Sequence, residues 1–433
     1  MSSNITTPPI AIIGAGPCGL TLARLLERAR IPYVVFERDA SAAPHSHHQG
    51  GTLDIHGATG QAALDAAGLR AEFEALARYE AAVFTIQDAR GGHYFRFDAG
   101  GGDAGAEFMA DRPEIDRRQL RGILLDSVPA DRVRWGKALR AVERAGGAGD
   151  GDAGPEGWVL RFADGSSETG FRMIVGADGA WSKVRPLLTS AKPYYAGKTF
   201  VEGRLSPANP QYAAAQEIAA AGTSTAMGAG RLLVIQQMGD RTYRIYAGLE
   251  EPESIARAGG ALDFSADIEA SRAALLDLFA GWAPHLRAFI EAAEGPWRIW
   301  PLYTFDPAVF EAEAVEKTWT RAPGVALLGD AAHVGLPNGE GVNLAMVDAL
   351  RLFECLSAEL GFGATDGSEA KFDARADAAA VERAIVAYET PMHERAREHL
   401  DDGIRMNDMM HKADGAERMI AMFTQFAEQA GQS

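Results

Sequence analysis

Cysteine is nearly absent: Cys18 and Cys355 are the only two in 433 residues. Two thiols so far apart cannot build a disulfide framework or a cysteine-based zinc site, and they suit a reducing compartment. Long apolar runs are also missing. The longest are strand-length and broken by glycine or charge, so no transmembrane helix and no membrane partner are predicted. The opening MSSNITTPPI places no basic segment ahead of an apolar run, which predicts no secretory signal. A cytoplasmic monomer is the expectation. Basic residues are in deficit, 42 Lys and Arg against 59 Asp and Glu, a formal net charge of −17. Such a chain repels phosphate backbones, which argues against a nucleic-acid partner.

The remainder has a globular balance, 47% apolar and 23% charged, with length enough for two domains. Pro9 to Ile13 is short, continuous and apolar, and predicts a buried strand. Leu20 to Ala29 predicts an amphipathic helix, and Tyr33 to Phe36 a second buried strand closing on Glu37 and Arg38. This is a β-α-β unit of dinucleotide-binding size. Ala99 to Gly105 and Ala145 to Gly157 read as exposed glycine-rich loops. Arg132 to Lys137 and Trp158 to Phe162 are expected to pair as a hairpin-like layer. Met173 to Val175 and Val325 to Leu328 read as further buried strands. Arg231 to Gln237 and Thr242 to Gly248, separated by a Gly239-Asp240 turn, predict an inserted β-sheet. Gly341 opens a helix to Glu359, Phe362 to Ala379 reads as a linker, and Val381 to Ala430 is helical with Pro391 as a kink. The expected architecture is α/β. A Rossmann-like domain from residues 1–185 and 303–362 carries an inserted sheet domain at 186–302, and a long C-terminal helix spans 380–430.

Gly14, Gly16 and Gly19 form GxGxxG between predicted strand and helix. The first glycine permits the tight turn and the second lets backbone approach a pyrophosphate. The third lets the helix pack on the strand with its N-terminal N–H groups facing phosphate. Glu37 follows Gly19 by 18 residues, at the end of the second strand, where a carboxylate accepts hydrogen bonds from a ribose. This much leaves NAD and FAD both open. Farther on, Gly329-Asp-Ala-Ala-His333 follows a buried strand, and Pro337-Asn-Gly-Glu-Gly341-Val-Asn343 precedes a helix. A nicotinamide dehydrogenase does not need a second glycine-rich helix start some 300 residues downstream, whereas a dinucleotide as long as FAD could use one.

GxGxxG with its following Glu, GADGAWSKVR at Gly176 to Arg185, and GDAAH with a downstream GxG together resemble the group A FAD-dependent monooxygenases. The closer resemblance is to the tetracycline-inactivating flavin monooxygenases. It rests on Gly50-Gly-Thr-Leu-Asp-Ile-His56, Thr59-Gly-Gln61, Ile115-Asp-Arg-Arg-Gln-Leu-Arg121, Ser182-Lys-Val-Arg185 and Val342-Asn343 with Val347-Asp-Ala-Leu350. It covers nearly the whole chain; the thioredoxin-like extension of the phenol hydroxylases is absent. The resemblance implies FAD as cofactor, NADPH or NADH as co-substrate, and O₂ and a small molecule as reactants. The implied reaction oxygenates an aromatic, enolic or polyketide-like ring through a flavin C4a-hydroperoxide, with tetracyclines among the candidates. It also implies that Glu37 and Arg38 contact the adenosine part of FAD. Gly51, Asp54, Arg117 and Arg121 would touch the cofactor, and Asp330 its ribityl or pyrophosphate region. Asp178 lies in the motif linked to FAD and NAD(P)H, while Pro337, Gly339, Gly341, Val342 and Asn343 would line the isoalloxazine. Pro337 is also a substrate candidate. His47 falls where close relatives carry a basic residue for the nicotinamide cofactor. Gly203 and Arg244 take the places of a substrate-binding glutamine and a histidine, with Tyr246 beside them. The loop from Pro337 is one residue shorter than is usual.

Some residues read two ways. His45, His47, His48 and His56 cluster without a ligand pattern, so a polar loop is expected and no metal. His333 is either a general base or a residue holding its loop by hydrogen bonds. Arg121 could be an ordinary surface arginine, and Asp330 an ordinary helix cap. Thr242, Arg244 and Tyr246 share one strand face, looking either into a cleft, where Arg244 would bind an acidic group, or into solvent. Cys18 reads as a small buried residue. The rival functions are a flavin reductase or oxidase that inserts no oxygen, and a flavin-binding protein without turnover. No protein nucleophile is expected, since the cofactor would carry the chemistry.

Overall fold

The run Ile10–Ile13 is wholly buried and lies between two parallel neighbours, Tyr33–Phe36 on one side and Met173–Gly176 on the other. A parallel strand covered on both faces needs apolar residues at every position, which is why these runs show no alternation. The sheet has five strands, in the order Val325–Leu327, Met173–Gly176, Ile10–Ile13, Tyr33–Phe36, Val133–Arg134. Helix Pro17–Arg28 connects the first two strands in sequence, with Pro17 in its first turn, where a missing N–H costs nothing. The computed structural model describes residues 7–43, 50–92, 94–98, 111–145, 157–361 and 373–430. The predicted loop at 99–105 lies outside these residues, as does all but the ends of the one at 145–157.

One predicted pairing is corrected. Arg132 to Lys137 does not pair with Trp158–Phe162: Val133–Arg134 adds to the parallel sheet beside Val35 and Phe36. Gly136, at φ +70°, then turns the chain, and the N–H groups of Gly136 and Lys137 donate to the carbonyls of Asp39 and Glu37. Trp158–Phe162 pairs instead with Leu139–Arg144 and with Ser167–Glu168.

The second sheet has seven strands, in the order Glu294–Thr304, Tyr194–Leu205, Tyr243–Glu250, Arg231–Gln237, Thr223–Gly228, Val83–Asp88, Phe95–Asp98. Its last two strands precede residue 186, so this sheet is wider than the segment 186–302 that the sequence marks out. One face carries Leu205, Leu233, Ile235, Ile245 and Leu249 against Leu275, Phe279 and Phe289, from helices Ile268–Leu278 and Pro284–Ala292. The opposite face carries Phe200, Glu202, Val234, Gln236, Arg244 and Tyr246, cross-strand partners that period-two geometry sends to one side.

Helix Gly341–Leu360 ends at Gly361, which is left-handed at φ +66°. Residues 362–372 of the predicted linker are outside the described residues, and its remainder is helical. Helix Ala374–Met410 starts there because Asp373 accepts hydrogen bonds from the N–H groups of Arg375 and Ala376. Pro391 lies within it, and it ends at His411 before a separate helix, Gly415–Ala430, so the C-terminal segment is two helices. Met406, Met409, Met410, Met419 and Phe423 from these helices pack on Phe84, Ile86, Met227 and Leu232 of the seven-stranded sheet. Among the described residues no helix is long and apolar enough to cross a membrane.

Candidate active site

The three glycines of GxGxxG have three different surroundings. Gly14 sits at φ +107°, and a Cβ there would lie 2.4 Å from the carbonyl oxygen of Ala177. A Cβ on Gly19 would lie 2.1 Å from the Gly14 carbonyl oxygen, so only glycine lets helix and strand meet this closely. A Cβ on Gly16 would meet nothing within 4 Å among the described residues. Open space therefore stands over the helix N-terminus, where N–H groups attract phosphate. The loop between is braced at Ala15. Its N–H donates to Glu37 Oε2 at 2.6 Å, and its carbonyl accepts from Arg121 Nε at 2.8 Å. Glu37 Oε1 also accepts the Asp39 N–H, and Arg121 pairs with Asp39 at 3.3 Å. Glu37 is thus buried and engaged with backbone, keeping spare lone pairs for a ribose. Arg38 beside it is exposed.

A second set of residues converges from opposite ends of the chain on Asn343, which is fully buried. Its Nδ2 donates to the carbonyls of Asp54 (2.8 Å) and Gly339 (3.2 Å), and its Oδ1 accepts the His56 N–H at 2.9 Å. A π-helical turn at Gly57–Gln61 follows, tight enough that a Cβ on Gly60 would reach 2.4 Å from Asn343 Oδ1. Gly339 takes φ +85° and faces the Asp54 carboxylate, while a Cβ on Gly341 would meet nothing within 4 Å among the described residues. Pro337 is exposed, its carbonyl fixed by Asn407 Nδ2 at 2.8 Å; Val342 is half-buried. Gly50, at φ +50°, lies against Arg117.

The third set carries the acids. Asp178 Oδ2 accepts the Lys183 N–H at 2.6 Å, while its buried Oδ1 finds no hydrogen-bond partner among the described residues; burial pushes its pKa up. Asp330 is exposed in the first turn of the short helix Asp330–His333. His333 is buried, 2.6 Å from Asp348 Oδ2, which also accepts the Gly329 N–H at 3.1 Å. Arg395 reaches the other oxygen of Asp348 at 3.2 Å. Burial alone would lower the His333 pKa, but the charge and hydrogen bond of Asp348 outweigh it and raise it. An imidazole so enclosed favours the loop-holding reading over the general base. Arg185, on the Asp178 loop, donates to the Ala331 and Ala180 carbonyls and joins the two acid-bearing turns.

The seven-stranded sheet meets this site at Gly51, where a Cβ would lie 2.7 Å from both Tyr246 Oη and Gln236 Oε1. The face bearing Tyr246 and Arg244 therefore looks into the cleft. Arg244 is buried, 3.6 Å from Glu202, and Glu202 also accepts from Trp300 Nε1 at 2.9 Å. Burial and the Glu202 carboxylate push the Tyr246 phenol up, against the charges of Arg244, Arg117 and Arg298. Gly203 is corrected as a substrate candidate. It faces Ala293 and Trp297 in the helix-covered core, 3.1 Å from each at its Cβ position, because it is one residue out of phase with Glu202 and Arg204.

An FAD binding domain model matches residues 7–199. "Monooxygenase penA" of Penicillium thymicola is 30% identical over 426 residues, covering 90% of this chain and 92% of that one. The chain belongs to the FAD-dependent monooxygenases. A "3-amino-4-hydroxybenzoate 2-monooxygenase" of Streptomyces cremeus is also 30% identical, over 81% of this chain and 79% of its own. Among solved structures, Klebsiella pneumoniae HpxO with FAD and uric acid superposes with a TM-score of 0.72 at 22% identity, covering 99% and 96% of the two chains. Tetracycline destructase Tet(55) gives 0.67 at 16%, covering 98% and 97%, a likeness of fold.

The residues of this monooxygenase fit FAD. Open space above Gly16 and at Gly341, an orphaned buried oxygen on Asp178 and an exposed Asp330 are what an elongated dinucleotide would fill and satisfy. His47 lies outside the described residues, with His45 and His48. Among the described residues no group of three or more His, Cys, Asp or Glu could hold a metal ion. Sequence reasoning missed the partners of His56, and the roles of Asn407 and Arg185. Asn407 sits in an unremarkable helical stretch, and nothing local marks it.

Proposed function

We propose that this monooxygenase uses NADPH or NADH and O₂ to hydroxylate a planar, acidic small molecule: a phenol, an enol or a polyketide-like ring. The observation that carries the reading is the charge around Tyr246. Arg117, Arg244 and Arg298 lie close enough to bias its ionisation, against the carboxylate of Glu202, with Asp240 acting on Arg244 from the strand's start. A cationic excess inside a chain of net charge −17 selects an anionic group on the substrate. Beyond this polar end the same face turns apolar at the half-buried Phe200 and Val234, and past them Leu232 and Met227 are closed under Met419 and Phe423. An aromatic wall at Phe200 suits a flat ring system. The names of relatives agree in chemistry: 3-amino-4-hydroxybenzoate and uric acid are planar and acidic.

Bound FAD would supply the redox chemistry, taking electrons from the nicotinamide and delivering them to dioxygen. The chain's part is to bind and orient. The N-terminus at Gly16, Asp178, Asp330 and the Pro337–Gly341 loop would hold the cofactor, and Arg244 with Tyr246 would orient the substrate's acidic edge near Gly51. The test is NADPH and NADH oxidation by FAD-loaded protein in ¹⁸O₂, against phenols, hydroxybenzoates, anthraquinones and tetracyclines. One ¹⁸O atom in a product supports the reading. Substrate-stimulated reductant consumption giving an unlabelled oxidised or reduced product overturns it in favour of a reductase or oxidase. No stimulation by any acidic ring would favour a flavin-binding protein without turnover.

A further inference from the structure

His56 has an uncommon environment: both of its ring nitrogens face carboxylates. Nε2 lies 2.7 Å from Asp54 Oδ2, and Nδ1 lies 3.0 Å from Glu340 Oε1. A neutral imidazole has one donor and one acceptor, and an acceptor nitrogen turned toward a carboxylate would be repelled. Only the imidazolium can donate to both. The ring is nearly enclosed, and its two partners come from different parts of the cofactor site. Asp54 ends the strand Thr52–Asp54, whose neighbours Gly50 and Gly51 touch Arg117 and the substrate face. Glu340 belongs to the loop running from Pro337 to Gly341.

We propose that His56 is a positioning residue for the flavin: as an imidazolium it clasps the Thr52–Asp54 strand to the Pro337–Gly341 loop, and FAD is held less tightly once that charge is lost. Asn343 already ties these two segments through neutral hydrogen bonds, so the clasp adds to a preformed contact. Among the described residues the charges facing it are identifiable. Arg112 approaches Nε2 at 3.4 Å and acts on the Glu340 carboxylate. Glu114 lies behind Asp54 with a buried oxygen lacking a partner among the described residues. Arg78 and Asp116 act on Glu114, and His399 acts on Glu340 from the long helix. Burial alone would lower the His56 pKa, but the hydrogen bonds and charges of Asp54 and Glu340 prevail and raise it to about 9. A raised imidazole pKa means that the clasp is complete in the neutral range and is released as pH rises through about 9.

FAD affinity of the apo-protein, read by quenching of flavin fluorescence from pH 7 to 10, tests this without reductant or turnover, so a failed oxygenation would leave it standing. Wild type should lose affinity on the order of tenfold through the titration, the change that one unit of pKa linkage carries. His56→Gln, which keeps one hydrogen bond and no charge, should bind on the order of tenfold more weakly at pH 7 and show no step near pH 9. Glu340→Gln, on a partly exposed loop, should move that step toward the ordinary imidazole range, and histidine-selective NMR should show the same shift in the ring's titration. Glu114→Gln should leave the step in place, separating His56 from the buried carboxyl whose pKa is raised to about 8. Equal weakening at every pH would mark a merely structural histidine and overturn the proposal. So would a Glu340→Gln protein whose step has not moved, which keeps the test decisive if His56→Gln fails to fold.

Discussion

Two glycines three residues apart should fail in opposite ways when each gains a single methyl group. In Gly19→Ala the new Cβ would sit 2.1 Å from the Gly14 carbonyl oxygen and 3.2 Å from Ile12 Cγ2. The first is backbone, so no rotamer relieves it, and helix Pro17–Arg28 must move off the sheet. Overpacking a core in this way costs about 1–3 kcal/mol. At roughly 2 °C per kcal/mol for a large chain, the apo-protein should melt about 2–6 °C lower. In Gly16→Ala the methyl would meet nothing within 4 Å among the described residues, and the backbone, at φ −79° and ψ 175°, accepts any residue. The apo-protein should melt within about 1 °C of wild type. The methyl instead fills the space left for the cofactor, and FAD affinity should fall at least tenfold, about 1.4 kcal/mol. Differential scanning fluorimetry without FAD, followed by fluorescence titration with it, separates the two effects. If apo Gly16→Ala melts as early as Gly19→Ala, or binds FAD like wild type, the assignment of the open space to the cofactor is wrong.

Asp348→Asn leaves His333 and Arg395 facing an uncharged partner in the core and should cost about 3–5 kcal/mol in denaturant unfolding. The pH dependence has a definite sign. His333 has a folded pKa above its ordinary 6.5, so its contribution is complete below 6.5 and is lost as pH rises through the raised value. That alkaline loss should vanish in Asp348→Asn; if it persists, another group carries it. Gly203→Ala should destabilise the fold by about 1 kcal/mol through its contacts with Trp297 and Ala293, and leave the substrate KM unchanged. A KM change without destabilisation would return Gly203 to the cleft. Arg244→Gln should raise the KM for acidic substrates about 10–100-fold, the worth of a hydrogen bond to a charged group, and barely affect neutral analogues. Equal effects on both would remove Arg244 from substrate recognition.

The cofactor half of the site was legible because its physics is local. GxGxxG needs glycine for reasons set within a few residues, and buried parallel strands declare themselves as continuous apolar runs. What escaped depends on distant partners. Val133–Arg134 is too short to show a period, and its place is set by Val35 and by the turn at Gly136. Leu139–Arg144 buries only Val142 fully and carries Arg140, Glu143 and Arg144, so its alternation carries little apolar signal. Gly203 was misplaced because one residue of register inverts a strand's faces, and a resemblance in sequence does not fix register. Asp373 as a helix cap could have been read from sequence, whereas the clasp of His56 on Glu340 joins residues far apart in the chain, where no spacing rule applies.

The order of the five-stranded sheet has a consequence for how this protein comes into being. Strand Met173–Gly176 is half-covered until Val325–Leu327 is made, about 150 residues later. Until then its backbone is an unpaired edge flanked by Ile174 and Val175, a surface that sticks to other nascent chains. Asn343, which stitches Asp54 to Gly339, is translated later still. Cofactor capture is therefore a late event in synthesis, and the half-made protein carries that open edge until Val325–Leu327 pairs with it. Fragments ending between residues 180 and 320 should aggregate even though they contain the whole GxGxxG motif.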